Sequence, residues 1–234
     1  MRGFQDRTDG GRQLADALQD YAGRDDVVVL ALPRGGVVTA AEVARRLEAP
    51  LDVFVVRKLG VPAQPELAMG AIASGGIRVM NTSVTEGLGL SDEAVARVAA
   101  QEQQELERRE RAYRPEGERP SLQGRTVIVV DDGIATGATM RAAVQAIRTN
   151  DPARIIVAVP VAPPDSYEAL REQADEVVAL MTPASFGGVG AWYRDFRQVT
   201  DGQVREILQR ARAGEAAGDT HPEAEQAERP STER

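Results

Sequence analysis

Five consecutive β-branched residues, Thr126-Val127-Ile128-Val129-Val130, run directly into two aspartates, Asp131 and Asp132. Such a run is stiff at χ1 and suits a short strand covered on both faces, with the acid pair placed where the strand surfaces. Gly133 to Gly137 is too rich in Gly and Thr to continue the strand, and Ala138 to Ile147 resumes helical spacing. The first turn of that helix offers backbone N–H groups without intrahelical partners, a natural seat for an anion. Two carboxylates one short loop away suit hydroxyls or a metal. A phosphorylated sugar carries both kinds of group. On this reading Asp131 and Asp132 accept hydrogen bonds from vicinal ribose hydroxyls. The segment Ala135-Thr136-Gly137-Ala138-Thr139 grips the 5′-phosphate, at roughly 1.5–3 kcal/mol per bond to a charged group.

Two earlier segments repeat the plan of strand, polar loop and helix. Val27 to Leu32 is an apolar strand ending at Pro33-Arg34-Gly35-Gly36, after which Val37 to Leu47 is helical. Bare backbone at Gly35 and Gly36 lets oxygens approach closely, and Arg34 supplies charge. Leu51 to Val56 reads as a further buried strand, with Arg57-Lys58 at its carboxyl edge, where open α/β sheets bind ligands. Lys58 is the sole lysine among 28 Lys and Arg residues. Either it survives by chance in an Arg-rich chain, or a compact ammonium is needed there.

The segment VIVVDDGIATGAT, residues 127–139, resembles the phosphoribosyl pyrophosphate (PRPP) motif of type I phosphoribosyltransferases: hydrophobic strand, acid pair, small loop, T-G-x-T. The P-R-G-G tetrapeptide is similar to that family's pyrophosphate loop, and Arg57-Lys58 to the pair that precedes its mobile lid. The resemblance implies a phosphoribosyltransferase that moves the 5-phosphoribosyl group from PRPP to a nitrogenous acceptor, a nucleobase by family habit, and releases pyrophosphate. It implies Arg34, Gly35, Gly36, Arg57 and Lys58 for the pyrophosphate, with Lys58, Arg57 and Asp132 carrying catalysis. It also implies Mg2+ held mainly by PRPP and water with Asp131 and Asp132 as candidate ligands, a non-proline cis peptide in the P-R-G-G loop, and a homodimer. Family members using a hypoxanthine-type purine carry an acid where this chain has Ala135. Three other readings stay open. A non-catalytic PRPP or nucleotide sensor can use the same fold. Acid pairs ending such a strand also occur in phosphotransfer receivers. A plain strand, acidic turn and helix accounts for the acids but not for Thr136-Gly137-Ala138-Thr139.

Composition narrows the chemistry. There is no cysteine, and the one histidine, His221, lies in a polar C-terminal stretch, so thiolate and imidazole mechanisms are excluded from the fold. The formal charge is −8, half of the excess falling in residues 213–234, which opposes a nucleic-acid-binding surface. No apolar run approaches the ~20 residues of a membrane span, and Met1 to Gly11 is polar; no membrane association and a cytoplasmic location are expected.

The fold expected is α/β, a mainly parallel open sheet flanked by helices, with a small β-hairpin lid and a C-terminal hood segment. Residues 1–212 form a single domain, and 213–234 a disordered acidic tail. Leu14, Ala17, Leu18 and Tyr21 predict a helix over Arg12 to Ala22, stopped by Gly23. Leu59 to Leu67, with Gly60, Pro62 and Pro65, has no period and reads as a mobile lid. Ala68 to Ala73 and Ile77 to Met80 read as a hairpin about Ser74-Gly75-Gly76, and Ser91 caps a long charged helix to Tyr113. In a chain only 4% aromatic, Trp192, Tyr193 and Phe196 cluster within five residues. They either stack on a flat base or pack the C-terminal segment on the core.

Overall fold

A computed structural model of the chain describes residues 3–62, 64–113 and 119–214; the tail from residue 215 onward lies outside them. The elements run α1 (Arg7–Ala17), β1 (Val27–Ala31), α2 (Gly36–Leu47), β2 (Leu51–Val53), β3 (Val56–Val61), β4 (Gln64–Ala73), β5 (Ile77–Met80), α3 (Thr82–Gly87), α4 (Asp92–Tyr113), β6 (Thr126–Val130), α5 (Ala138–Arg148), β7 (Arg154–Val161), α6 (Pro164–Arg171), β8 (Glu176–Met181) and α7 (Asp201–Ala213). Five strands form one sheet in the order β2-β1-β6-β7-β8, every pair parallel. A second, antiparallel sheet is ordered β3-β4-β5.

The β-branched strands sit at the centre of the large sheet because both of their faces are covered. Val27, Val29, Ala31, Ile128 and Val130 face a core shared with α1, α2 and α7, while Val28, Leu30, Val127 and Val129 face one shared with α5 and α6. All five residues of β1 and of β6 are buried. Parallel neighbours need crossover helices, which α2 and α5 provide. Strand order reverses between β1 and β6, so the loops leaving these two strands splay apart at a topological switch point, where open α/β sheets take their ligands.

Three expectations need correction. The first helix spans Arg7–Ala17, five residues ahead of the expected span, and only a 3-10 turn covers Gln19–Tyr21. Gly10 and Gly11, which lay ahead of the expected span, are buried inside it. A Cβ on Gly11 would lie 2.6 Å from the Thr39 carbonyl oxygen, so glycine there lets α1 and α2 pack closely. Second, the core strand stops at Val53, and the chain crosses into the small sheet, so Arg57 and Lys58 lie within β3 and not at the end of a core strand. Third, most of the expected lid, Leu59 to Leu67, lies in β3 and β4; Leu59 and Val61, with Met69 just beyond, are buried. Alternate residues of those strands find a core, and this outweighs the loop-forming tendency of Gly60, while Pro62 lies in the turn between them. Among the described residues no helix is long and apolar enough to cross a membrane.

Candidate active site

Leu32 N–H continues the β1–β6 ladder by donating to the Val130 carbonyl at 2.9 Å, so the P-R-G-G loop and the acid pair emerge side by side. The peptide between Pro33 and Arg34 is cis. A Cβ on Gly35 would overlap Asp132 Oδ2 and lie 2.8 Å from its Cγ, and one on Gly36 would lie 2.9 Å from Asp131 Oδ1. Glycine at both positions therefore allows the loop to close onto the two carboxylates. Any larger residue would push it off.

Asp131 Oδ1 accepts the Asp132 backbone N–H at 2.8 Å. Burial, reinforced by the neighbouring Asp132 charge, pushes the Asp131 carboxyl well above the ordinary range. Asp132 is gripped at both ends: Arg7 Nε donates to Oδ2 at 2.6 Å, and the Tyr193 hydroxyl donates to its backbone carbonyl. Burial and the nearby Asp132 charge push the Tyr193 phenol upward, so it stays a neutral donor.

Beyond the acids, Gly137 takes a left-handed conformation (φ 72°) as the N-cap of α5, and no side chain caps the helix. Ala138 N–H makes only a 3.5 Å contact with Thr136 Oγ1. Ala135, Thr136 and Thr139 are exposed, Ala138 is half-buried and Gly137 is buried. The loop is braced from behind: Ser166 Oγ donates to the Ala135 carbonyl at 2.7 Å, and Arg141 Nη1 to the Thr136 carbonyl at 2.8 Å. With both carbonyls held, the N–H groups of the α5 start are left to face an anion.

Two of the cations expected at the pyrophosphate, Arg34 and Arg57, are paired with protein carboxylates in this structure. Arg34 Nη1 lies 3.6 Å from Asp201 Oδ1 at the start of α7, and Arg57 pairs with Glu102 of α4 at 2.6 Å. Asp201 also accepts from Tyr113 Oη at 2.8 Å. That bond, with Arg108 and Arg34 nearby, lowers the Asp201 carboxyl, while burial, with Asp201 adding to it, pushes Tyr113 up to about 12. Adjacent residues of a strand point to opposite faces, so Arg57, turned to α4, and Lys58 leave β3 on opposite sides.

The three C-terminal rings are packed. Trp192 and Tyr193 are buried in a small cluster with Phe4 and Val161, and Trp192 Nε1 donates to the Phe186 carbonyl at 2.9 Å. Phe196 stacks on Tyr193 at 5.1 Å between centroids, and the Arg7 guanidinium lies 3.8 Å from the Phe196 centroid. Phe196 is half-buried, and Trp192 and Tyr193 are buried.

A family model described as a phosphoribosyl transferase domain matches residues 5–191. The chain belongs to the phosphoribosyl transferase domain family. A solved structure of TT1426 from Thermus thermophilus is 46% identical, aligns over 89% of this chain and 98% of its own, and gives a TM-score of 0.80. Two Mycobacterium tuberculosis proteins provisionally named as phosphoribosyl transferases, from strains CDC 1551 / Oshkosh and H37Rv, are each 50% identical over 211 residues, 90% of this chain. The chain spans about half the length of these curated relatives, the alignment covering 47% of each.

In this phosphoribosyl transferase domain, sequence reasoning missed Arg7, Arg141, Ser166, Glu102 and Asp201. Only Arg141 left a signal, a cation in the first turn of a helix whose dipole disfavours it there. Among the described residues no group of three or more acidic or histidine side chains could hold a metal. The acid pair, one of whose oxygens is already bonded to Arg7, fits an ion that brings most of its ligands from substrate oxygens and water. A cavity of about 370 Å³ lined by Leu30, Phe54, Ser74, Arg119 and Leu122 shares no lining residue with the two loops.

Proposed function

We propose that this phosphoribosyl transferase domain moves the 5-phosphoribosyl group of PRPP to a nitrogen acceptor of the nucleobase type and releases pyrophosphate. The observation that carries the reading is the meeting, at the switch point, of an acid pair, an uncapped helix start with a threonine-rich loop, and a glycine loop lying on the acids. These match the three parts of PRPP: a ribose diol, a 5′-phosphate and a diphosphate. In the reaction the bond from C1 to the diphosphate oxygen breaks and a bond from C1 to the acceptor nitrogen forms on the opposite face, with inversion.

The transition state has oxocarbenium character, so the protein's task is alignment and neutralisation of the leaving group. Asp131 and Asp132 orient the diol, the Thr136 to Thr139 segment anchors the phosphate, and the Gly35 and Gly36 backbone follows the diphosphate. Lys58 supplies charge, joined by Arg34 and Arg57 once diphosphate displaces Asp201 and Glu102. Asp131 and Asp132 would be the protein-side holders of a magnesium ion, whose chemistry there would be further neutralisation of the leaving group. Ala135 leaves no acid in the loop to share a proton with a purine ring, which favours an acceptor other than a hypoxanthine-type base.

The second reading, a non-catalytic PRPP or nucleotide sensor, draws on the engagement of Arg34 and Arg57 with protein carboxylates. The test is calorimetric titration of PRPP with magnesium into the wild type, Asp132→Asn and Lys58→Ala, followed by a pyrophosphate-release screen over nucleobases. Binding strongly weakened in Asp132→Asn and weakened in Lys58→Ala supports the site. Pyrophosphate release with some base supports the enzyme, and binding without release with any base supports the sensor. Failure of all forms to bind PRPP overturns the enzyme and the PRPP sensor.

A further inference from the structure

The most heavily anchored side chain at the site belongs to neither loop. Arg7 leaves the first turn of α1, and its side chain is 11% exposed although it carries a full charge. Three contacts fix it: Nε on Asp132 Oδ2 at 2.6 Å, Nη1 on the Arg197 carbonyl at 2.8 Å, and the guanidinium face on the Phe196 ring. An ordinary surface ion pair has no such surroundings. The segment before Arg7 is fixed as well. Phe4 exchanges backbone hydrogen bonds with Trp192 and Arg194, at 2.8 and 3.0 Å, and Asp6 caps α1 by accepting Asp9 N–H at 2.9 Å. The Cγ of Asp132 lies where a Cβ on Gly35 would approach it to 2.8 Å, so its carboxylate is wedged between Arg7 and the P-R-G-G loop.

Arg7 takes Oδ2 of Asp132, and Tyr193 takes the backbone carbonyl. The Arg7 bond to Oδ2 fixes the rotation of the carboxylate and leaves Oδ1 the oxygen that Arg7 does not hold. Arg7 is a cation in direct contact with the Asp132 carboxylate, beside the buried Asp131 carboxyl. We infer that Arg7 is a positioning residue for a phosphorylated ribose: it fixes Asp132 by Oδ2 so that Oδ1 meets a sugar hydroxyl, which makes the N-terminal helix a working part of the site. This inference rests on the PRPP reading above.

The test is calorimetry with three probes, PRPP, ribose 5-phosphate and inorganic pyrophosphate, each with magnesium. The proteins are the wild type, Arg7→Gln, Arg7→Lys, Asp132→Asn and the Arg7→Gln/Asp132→Asn double variant, all first checked for a cooperative melt. Arg7→Gln is expected to weaken PRPP and ribose 5-phosphate about tenfold or more while pyrophosphate changes less than about twofold. Arg7→Lys recovers part of the loss, and the double variant binds no worse than Asp132→Asn, because both changes remove one interaction. Unchanged PRPP affinity in Arg7→Gln overturns the inference, as do equal losses for all three probes, no recovery in Arg7→Lys, or additive losses. If the wild type binds none of the probes, the PRPP reading has failed. The positioning role is then decided by crystal structures of wild type and Arg7→Gln: an Asp132 carboxylate rotated away from Gly35 in the variant supports it, and an unmoved one overturns it.

Discussion

At Gly35 a missing side chain is what brings the glycine loop into contact with the acids, since a Cβ there would overlap Asp132 Oδ2. Gly35→Ala should therefore lower stability by about 1–3 kcal/mol, as small-to-large changes at tight sites do, and cut PRPP affinity by roughly tenfold or more. A thermal melt and a PRPP titration check the two effects separately. Arg141→Gln should act differently, leaving the melt nearly unchanged while PRPP binds about fivefold more weakly, because the Thr136 carbonyl is released and a nearby charge removed. Titration at two salt concentrations reads it, and the variant should show the smaller salt dependence. Asp131, Asp132 and the Thr136 to Thr139 segment were legible because their spacing along the chain is their spacing in the site. Arg7 was not: 125 residues separate it from Asp132, and no local pattern records that distance.

Among the elements, α4 and α7 hold the two arginines through carboxylates. Glu102→Gln should release Arg57 and tighten pyrophosphate binding by up to about fivefold, the scale of a partly exposed ion pair. Calorimetry with pyrophosphate decides this, and weaker binding would mean that Glu102 aims Arg57 and does not withhold it. The Tyr113–Asp201–Arg34 junction has a pH signature. Asp201 has a lowered carboxyl, so its contribution to stability is complete above the unfolded value of about 4 and is lost as pH falls through the folded value. Asp201→Asn should thus be less stable than the wild type at neutral pH, and the difference should shrink in acid. Denaturant melts from pH 7 to pH 2 measure it. Alternation and β-branching located the core strands and most helices to within a few residues. The pattern failed where packing overrode composition: Gly11 serves a close contact with α2 and Gly10 one with Pro160 and Tyr193, and the Gly-bearing segment after Lys58 forms strands because Leu59, Val61 and Met69 reach a core.

Over the whole molecule, the sheet order could be anticipated only as a class. Alternating strands and helices imply parallel pairing, whereas the order β2-β1-β6-β7-β8 and the separate sheet β3-β4-β5 depend on contacts distant in sequence. If PRPP binds with its metal, a ligand concentration of a hundred times Kd stabilises the fold by about 2.7 kcal/mol, a rise of roughly 5–10 °C in Tm for a domain of this size. Chelation of magnesium should abolish that rise and leave the ligand-free melt unchanged. Lys58 bears the chain's one ε-amine, on a strand of the small sheet. Apart from an α-amine, the protein therefore offers an acylating reagent a single target. One fluorophore attached there would sit on β3 and report by its colour or lifetime whether anything has entered beside it.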